Sequence, residues 1–233
     1  MSQKVIATNY GRATFVYNGT EWNQAGGTSL VTAGVFSPLD YGAVGNGTTD
    51  DTAAVQAAYS AVGSSGGTVI IPRGYSFALS ATITVKSKTV TIGGGRLVGM
   101  TAASWPSGNF WCFKNENFAA GSITDTDIMF FGIEVDWTAV ANASTAHLFH
   151  MRMARNVVVS ECKGINAASA TAFLACDDTV VEKCRFTGFY NCGIDHWENP
   201  KNAVVAENYL ETTVSAQMVN FSPDPTSGSS AGY

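Results

Sequence analysis

The feature of this chain that most constrains its fold is an internal repeat in its C-terminal half. Three segments share one pattern, in which a short run rich in valine follows Asn156, Asp178 and Asn202. Their starts are separated by 22 and then by 24 residues, and weaker copies begin at Thr89 and Asp127. A unit of this length cannot bury its apolar face alone, so the period predicts turns that stack on one another in a solenoid.

A second predicted strand precedes each repeat start, over residues 147–154, 170–176, 194–199 and 217–222. Side chains alternate between the two faces of a strand, so each strand has an inward and an outward row. The predicted inward row is Met151, Phe173, Trp197 and Phe221. The predicted outward strip, which concentrates the ionisable groups of these strands on one face, is His150, Arg152, His196, Glu198 and Asn220. Corner residues Cys162, Cys184 and Asn208 are predicted to fall in register.

Segment 36–74 contains a turn, a short helix and a strand. Glycines over residues 42–47 supply the left-handed backbone that a tight turn needs. A helix is predicted over about 49–62, with capping oxygens from residues 48–51 and an apolar face of Val55, Tyr59 and Val62. A β-branched strand follows and ends at Pro72.

This segment resembles the entry motif of the pectate-lyase-like superfamily of right-handed parallel β-helices. The first part of the motif is matched by Asp40, Tyr41, Gly42, Ala43, Gly45, Asn46, Gly47, Asp50, Asp51, Thr52, Ala54, Val55, Gln56 and Ala58. The second part is matched by Gly66, Gly67, Val69, Ile71, Pro72 and Gly74. The resemblance implies an all-β, single-stranded parallel β-helix over residues 36–233, with the helix capping its N-terminal end. It says little about activity, because one fold hosts many functions.

Composition agrees with a β-rich protein that has a sizeable core. Hydrophobic residues make up 45% of the chain, charged residues only 13%, and the net charge is −5 without any block of like charge. These values favour neither a nucleic-acid partner nor insertion into a membrane. The five cysteines match no zinc spacing and are predicted to be small buried residues, with no metal and no cofactor.

Residues 1–35 differ from the remainder of the chain. Short strands are predicted over residues 5–7, 12–17 and 29–31, with Asn18 and Gly19 as a hairpin turn. A segment of this size cannot hold a core of its own, so it is predicted to oligomerise or to attach to something larger. No secretory signal is evident at the N-terminus.

A small β-rich leader before a β-helix is similar to the organisation of bacteriophage tailspikes. That resemblance implies a homotrimer in the virion, made in the bacterial cytoplasm. It would be joined to other tail proteins through residues 1–35 and would bind host-surface polysaccharide, with or without cleaving it. Two alternatives stay open: a non-catalytic structural or receptor-binding tail component, and a secreted pectin-lyase-like enzyme. The chain is also expected to hold few turns and to end in a linker-like segment from Pro223 that further turns could follow.

Candidate catalytic residues come from two acidic clusters, because glycosidases use a pair of carboxyl groups. One cluster is Asp177 with Asp178, and the other is Asp195, His196 and Glu198. Asp178 aligns with Asn156 and Asn202 and is therefore also interpreted as a turn residue. Asp195 aligns with Val219 and is also interpreted as a buried acid with a polar partner.

Further candidates concern binding and a second reaction class. The candidate substrate-binding residues are His150, Arg152, Tyr190 and Asn220. Arg152 could also serve as the base of a β-elimination lyase, but such enzymes usually hold Ca²⁺ with several carboxylates and no large carboxylate cluster is evident.

Overall fold

The structure is a computed structural model that describes residues 3–8, 11–17, 22–25, 34–105, 110–140 and 146–222. Near the N-terminus, strands β1 (Gln3–Thr8), β2 (Gly11–Tyr17) and β3 (Trp22–Ala25) form an antiparallel sheet. The predicted second strand is confirmed. The predicted third strand, over residues 29–31, lies outside the described residues, and β3 is a strand that the sequence did not predict. The predicted turn at Asn18 and Gly19 lies outside the described residues, although β2 and β3 on either side of it pair antiparallel.

The remaining strands build the solenoid. In chain order they are β4 (Gly34–Phe36), β5 (Asn46–Asp50), β6 (Gly67–Ile71), β7 (Ser76–Leu79), β8 (Ile83–Val85), β9 (Thr89–Gly93), β10 (Arg96–Gly99), β11 (Phe113–Asn115), β12 (Asp125–Phe131), β13 (Glu134–Asp136), β14 (His147–Arg152), β15 (Ala154–Ser160), β16 (Lys163–Ile165), β17 (Ser169–Leu174), β18 (Asp177–Glu182), β19 (Arg185–Thr187), β20 (Cys192–Trp197), β21 (Val204–Ala206), β22 (Tyr209–Glu211) and β23 (Gln217–Ser222). Short 3-10 helices span Pro38–Tyr41, Ala102–Ser104 and Thr138–Val140.

These strands form three parallel sheets that wind into a right-handed parallel β-helix, as predicted. The first sheet has the order β21-β18-β15-β12-β9-β6-β4, the second β22-β19-β16-β13-β10-β7-β5, and the third β23-β20-β17-β14-β11-β8. Each turn contributes one strand to each sheet, except the first, which contributes β4 and β5 but no strand to the third sheet. The four predicted second strands correspond to β14, β17, β20 and β23.

A single helix, α1 (Thr52–Ser60), closes the N-terminal end of the part of the solenoid that the structure describes. Its predicted apolar face is confirmed, because Val55, Tyr59 and the following Val62 are fully buried. The predicted start of the helix was too early, since β5 occupies Asn46–Asp50. Asp51 does not cap the helix with its side chain: its carboxylate accepts hydrogen bonds from the backbone N–H groups of Val44 and Gly45, at 2.7 and 3.0 Å.

The repeated corner residues stack as predicted. Asn156, Asp178 and Asn202 all adopt left-handed backbone conformations, and Asn202 Nδ2 donates to Asp178 Oδ1 at 2.8 Å. Asp178 therefore shares the left-handed backbone of Asn156 and Asn202, but it lies within strand β18 and not in a turn as interpreted from the sequence. Cys184 N–H donates to Asn208 Oδ1 at 2.9 Å, which places these two corners in register. All five cysteines are buried and free, which confirms their interpretation as core residues.

Candidate functional site

The corner between the third and first sheets brings together several candidate residues. Strands β14, β17 and β20 are each followed by a residue in the left-handed region, namely Met153, Ala175 and Glu198, with φ values of 49°, 48° and 60°. Because the preceding strands are in register, these three residues stack on one another. A side chain with a β-carbon is strained in this conformation. The stacked hydrogen bonds of the adjoining strands hold the backbone there.

A pocket of about 300 Å³ opens at this corner. It is lined by Ser122, Ile123, Met153, Ala175, Asp177, Glu198, Asn199 and Lys201. Its volume is at the lower end of the range typical of small-molecule sites. Two of the predicted catalytic residues, Asp177 and Glu198, come from different acidic clusters of the sequence and here line one cavity.

Asp177 is the more enclosed of the two carboxylates, with a side chain that is 11% exposed. Its Oδ2 atom lies 3.4 Å from Arg155 Nη2 and 3.9 Å from Lys201 Nζ. Burying a carboxylate is costly unless cations or donors compensate it, and these two cations supply that compensation. Among the described residues, no ion pair joins Glu198 to a cation.

The outer face of the third sheet adjoins this pocket. One row on this face consists of His150, Ala172, Asp195 and Asn220, which pair in register. The predicted placement of His150 and Asn220 in one row is therefore confirmed. Asp195 is buried, and Asn220 Nδ2 donates to its Oδ1 at 2.8 Å. Burial raises the pKa of Asp195 to about 6, although hydrogen bonds from Asn220 and Trp197 act in the opposite direction.

The predicted alignment of strand β20 was wrong by one residue. His196, not Trp197, continues the inward row of Met151 and Phe173 and pairs with Phe221. His196 is fully buried, its Nε2 lies 2.9 Å from Thr179 Oγ1, and burial lowers its pKa to about 4. Its place in the core removes it from the outward strip and from contact with a ligand. Asp195 pairs with Asn220 and not with Val219, but its interpretation as a buried acid with a polar partner holds.

The other predicted binding residues do not line the pocket. His150 is buried under Trp111 and Phe118, whose ring centroids lie 4.4 and 4.7 Å from that of the imidazole. Arg152 occupies the next outward row, and its backbone N–H donates to Asn115 Oδ1 at 2.9 Å. Tyr190 precedes strand β20 whereas Glu198 follows it, so the strand separates them by roughly 20 Å. Burial raises the pKa of Tyr190.

Several lining residues were missed by the sequence reasoning. Ser122 and Ile123 belong to the loop between β11 and β12, and Asn199 and Lys201 belong to the connection between β20 and β21. The spacing of 38 residues between the weaker repeat starts at Thr89 and Asp127 was a signal for the first loop. No group of three or more His, Cys, Asp or Glu side chains in the described ranges could hold a metal ion. No helix among the described residues is long and apolar enough to span a membrane.

Comparison with known proteins gives the fold family. The model of the rhamnogalacturonase A/epimerase, pectate lyase-like family matches residues 35–220. No curated protein sequence matches the chain. Among solved structures, the tailspike protein of E. coli bacteriophage HK620, in complex with pentasaccharide, superposes with a TM-score of 0.62 at 20% identity, over 80% of this chain and 37% of that one.

Two further structures share the fold. A galactohydrolase named for a sulfated galactose and anhydrogalactose substrate has a TM-score of 0.58 at 19% identity, over 74% of this chain and 43% of that one. A Parabacteroides merdae protein classed as a glycosyl hydrolase has a TM-score of 0.57 at 14% identity, over 76% of this chain and 95% of that one. The chain thus spans less than half of the tailspike and the galactohydrolase. The match over residues 35–220 shows that the chain belongs to the rhamnogalacturonase A/epimerase, pectate lyase-like family.

Proposed function

We propose that this chain is a bacteriophage tail protein that binds host-surface polysaccharide in the pocket at the corner between the third and first sheets and hydrolyses it there. The observation that carries the proposal is that Asp177 and Glu198 line the same cavity of about 300 Å³. Hydrolysis of a glycosidic bond uses two carboxyl groups on either side of the bond, one as an acid and one as a base or nucleophile.

The surroundings of the two carboxyl groups suit different roles. Asp177 forms ion pairs with two cations, Arg155 and Lys201. We assign it the role of base or nucleophile. Glu198 lies on the corner itself and is the group we assign to protonate the leaving oxygen. Fold neighbours that include glycan hydrolases and a tailspike bound to a pentasaccharide support polysaccharide as the substrate class.

The proposal also covers the oligomeric state of the chain and its attachment to other proteins. We propose that residues 1–35 attach the chain to other tail proteins and that the chain forms a homotrimer in the virion. The antiparallel sheet β1–β3, which differs in kind from the parallel sheets of the solenoid, supports a separate role for this segment. Sedimentation equilibrium of the full chain is expected to give three times its mass of 24.5 kDa, and a monomer would contradict the trimer.

The catalytic assignment is tested with Asp177→Asn and Glu198→Gln. The full-length variants are incubated with a panel of purified bacterial capsular polysaccharides, lipopolysaccharide O-chains and pectic rhamnogalacturonan, and released reducing ends are measured. Each substitution is expected to lower turnover by roughly 10² or more, the typical contribution of a positioned acid or base. Absorbance of unsaturated uronate products would identify elimination in place of hydrolysis.

Asp178→Asn is the matched control. Asp178 neighbours Asp177 in sequence but does not line the pocket, and the equivalent corners carry Asn156 and Asn202. Its turnover is expected to stay within about twofold of the wild type, since asparagine already serves at those positions. Unchanged turnover in Asp177→Asn and Glu198→Gln would overturn the catalytic assignment. Binding without any release of sugar by the wild type would favour the non-catalytic receptor-binding alternative.

A further inference from the structure

One row of side chains on the third sheet borders the pocket without lining it. Arg152, Leu174 and Trp197 pair in register on strands β14, β17 and β20. Each is the last residue of its strand, and the next residue in each case, Met153, Ala175 or Glu198, lines the pocket. The row is therefore the rim of the cavity on the side of the third sheet.

Trp197 is the aromatic member of this rim. It is partly exposed, in contrast to the fully buried core residues Phe173 and His196. Alternation along β20 places Trp197 on the same outer face as Asp195, two residues earlier. The Asp195 carboxyl group accepts a hydrogen bond from Asn220 and interacts with the polar edge of the Trp197 indole, while part of the indole surface remains accessible.

We propose that Trp197 is a platform on which a pyranose ring stacks, next to the sugar unit held between Asp177 and Glu198. The apolar C–H face of a pyranose suits the flat indole, because contact between them removes apolar surface from water. Asp195 acts as a positioning residue, since it holds the indole and does not itself touch the sugar. This inference rests on the proposed function, because it extends the same site by one sugar unit.

The positioning role makes the platform sensitive to pH. A hydrogen bond from the indole to an ionised carboxylate is stronger than one to a neutral carboxyl group. The pKa of Asp195 is about 6, so this bond is at full strength above that pH and weakens below it. Neighbouring strands place only Ala172 and Asn220 beside Asp195, and the Cys192 thiol is the titratable group on its own strand. Of these groups, Asp195 is the one that titrates near pH 6.

The test is the affinity of the full-length protein for oligosaccharides prepared from whichever polysaccharide of the panel the wild type binds, measured by calorimetry at pH 7.5. Trp197→Leu is the main variant, because Leu174 already occupies the equivalent position one turn away and the substitution keeps apolar bulk. Its affinity is expected to fall about tenfold, which corresponds to about 1.4 kcal/mol. Trp197→Phe, which restores a flat ring, is expected to recover most of the loss. Trp111→Phe, two residues before strand β11 and not in the lining of the pocket, is expected to bind as the wild type does.

The pH dependence of binding distinguishes a positioning role of Asp195 from a purely structural one. The wild type is expected to bind more weakly at pH 5 than at pH 7.5, and Asp195→Asn is expected to abolish that dependence. Equal affinity of Trp197→Leu and the wild type would overturn the platform. If Asp177→Asn and Glu198→Gln still lose turnover in that case, the proposed function stands without the platform. Failure of the wild type to bind any polysaccharide of the panel would contradict both.

Discussion

The two ends of the described solenoid differ in how completely they bury the side chains that point into the core. At the N-terminal end, α1 packs on the core and buries Tyr59 completely, and the tyrosine hydroxyl lies 2.9 Å from Thr91 Oγ1. In the last described turn, Val219 and Phe221 continue the inward rows of Ile194 and His196. They are nevertheless 39% and 50% exposed. An inward position in a solenoid therefore becomes core only when a further layer packs on it.

The last described turn nevertheless packs on the turn before it. Phe221 stacks on the His196 ring with a centroid distance of 5.0 Å, and Asn220 bonds to Asp195. The turn therefore covers the core below it while its own apolar side chains remain exposed. The pocket lies close to this end, because Glu198 and Lys201 come from the turn immediately before it. Differences in local stability between the two ends thus bear directly on the candidate site.

The largest expected effect is a loss of stability at the N-terminal end, where α1 packs on the core. Tyr59→Ala removes a fully buried ring that lies 5.7 Å from Phe113 and loses the bond to Thr91. It should lower the free energy of unfolding by about 3 to 5 kcal/mol, as measured by urea denaturation. Phe221→Ala, the matched change in the last described turn, should cost about 1 kcal/mol because its ring is half exposed. Equal losses of unfolding free energy in the two variants would contradict the difference between the two ends.

The second effect tests how well the last turn covers the core. Burial lowers the pKa of His147 and His196 to about 4, and it also lowers that of His150. Their unfolded values are about 6.5, so the unfolded state binds more protons as the pH falls from 6.5 to 4. The free energy of unfolding should therefore be unaffected by these groups above pH 6.5 and decrease below it.

His196→Phe isolates the contribution nearest to the last turn. Phenylalanine already occupies the neighbouring positions 173 and 221 of this row. The variant should lose about 2 to 3 kcal/mol less between pH 7 and pH 4 than the wild type does, as measured by urea denaturation. An identical pH dependence in the two proteins would mean that water reaches His196 through the last turn.

The third and smallest of these effects is the contribution of Asp195 to the pH dependence of stability, which has the opposite sign to that of the histidines. The pKa of Asp195 is raised from 3.8 to about 6, so the native state binds more protons between these values and stability decreases as the pH rises through them. Asp195→Asn should therefore raise the free energy of unfolding by about 2 kcal/mol at pH 8 and leave it nearly unchanged at pH 4. A loss of stability at pH 8 would show that the charged bonds to Asn220 and Trp197 outweigh the cost of burial.

The predictions from sequence succeeded where the corners have constant length. Between the first and second sheets the connection is two residues in successive turns, such as Glu161 with Cys162 and Lys183 with Cys184. The valine runs and corner residues therefore repeat in fixed register. Together with the entry motif over residues 36–74, this regularity was enough to predict the fold, the capping helix and the strands of the third sheet.

The same predictions failed where the corners vary in length. Three residues connect β16 to β17, but four connect β19 to β20, and the extra residue shifts β20 by one position. A shift of one residue exchanges the two faces of a strand, which placed His196 outward and Trp197 inward in the prediction. The spacing from Phe173 to Trp197 equals the spacing from Trp197 to Phe221, so the sequence did not reveal the shift of one residue. A difference in loop length compensates for that shift.

The candidate site could be predicted only in part for the same reason. Asp177 and Glu198 were both identifiable as acidic candidates, but nothing in their spacing of 21 residues places them in one cavity. Their proximity depends on the left-handed corner at Glu198 and on the connection that carries Lys201 back beside Asp177. These are properties of stacked turns and not of a local sequence pattern.

The most direct test of the central claim is a crystal structure of the Glu198→Gln variant soaked with an oligosaccharide cut from a polysaccharide that the protein binds. We expect a sugar unit in the pocket, within hydrogen-bonding distance of Asp177 and of the residue at position 198, with the adjoining ring stacked on Trp197. Sugar density at another face of the solenoid, with this pocket empty, would contradict the assignment of the site.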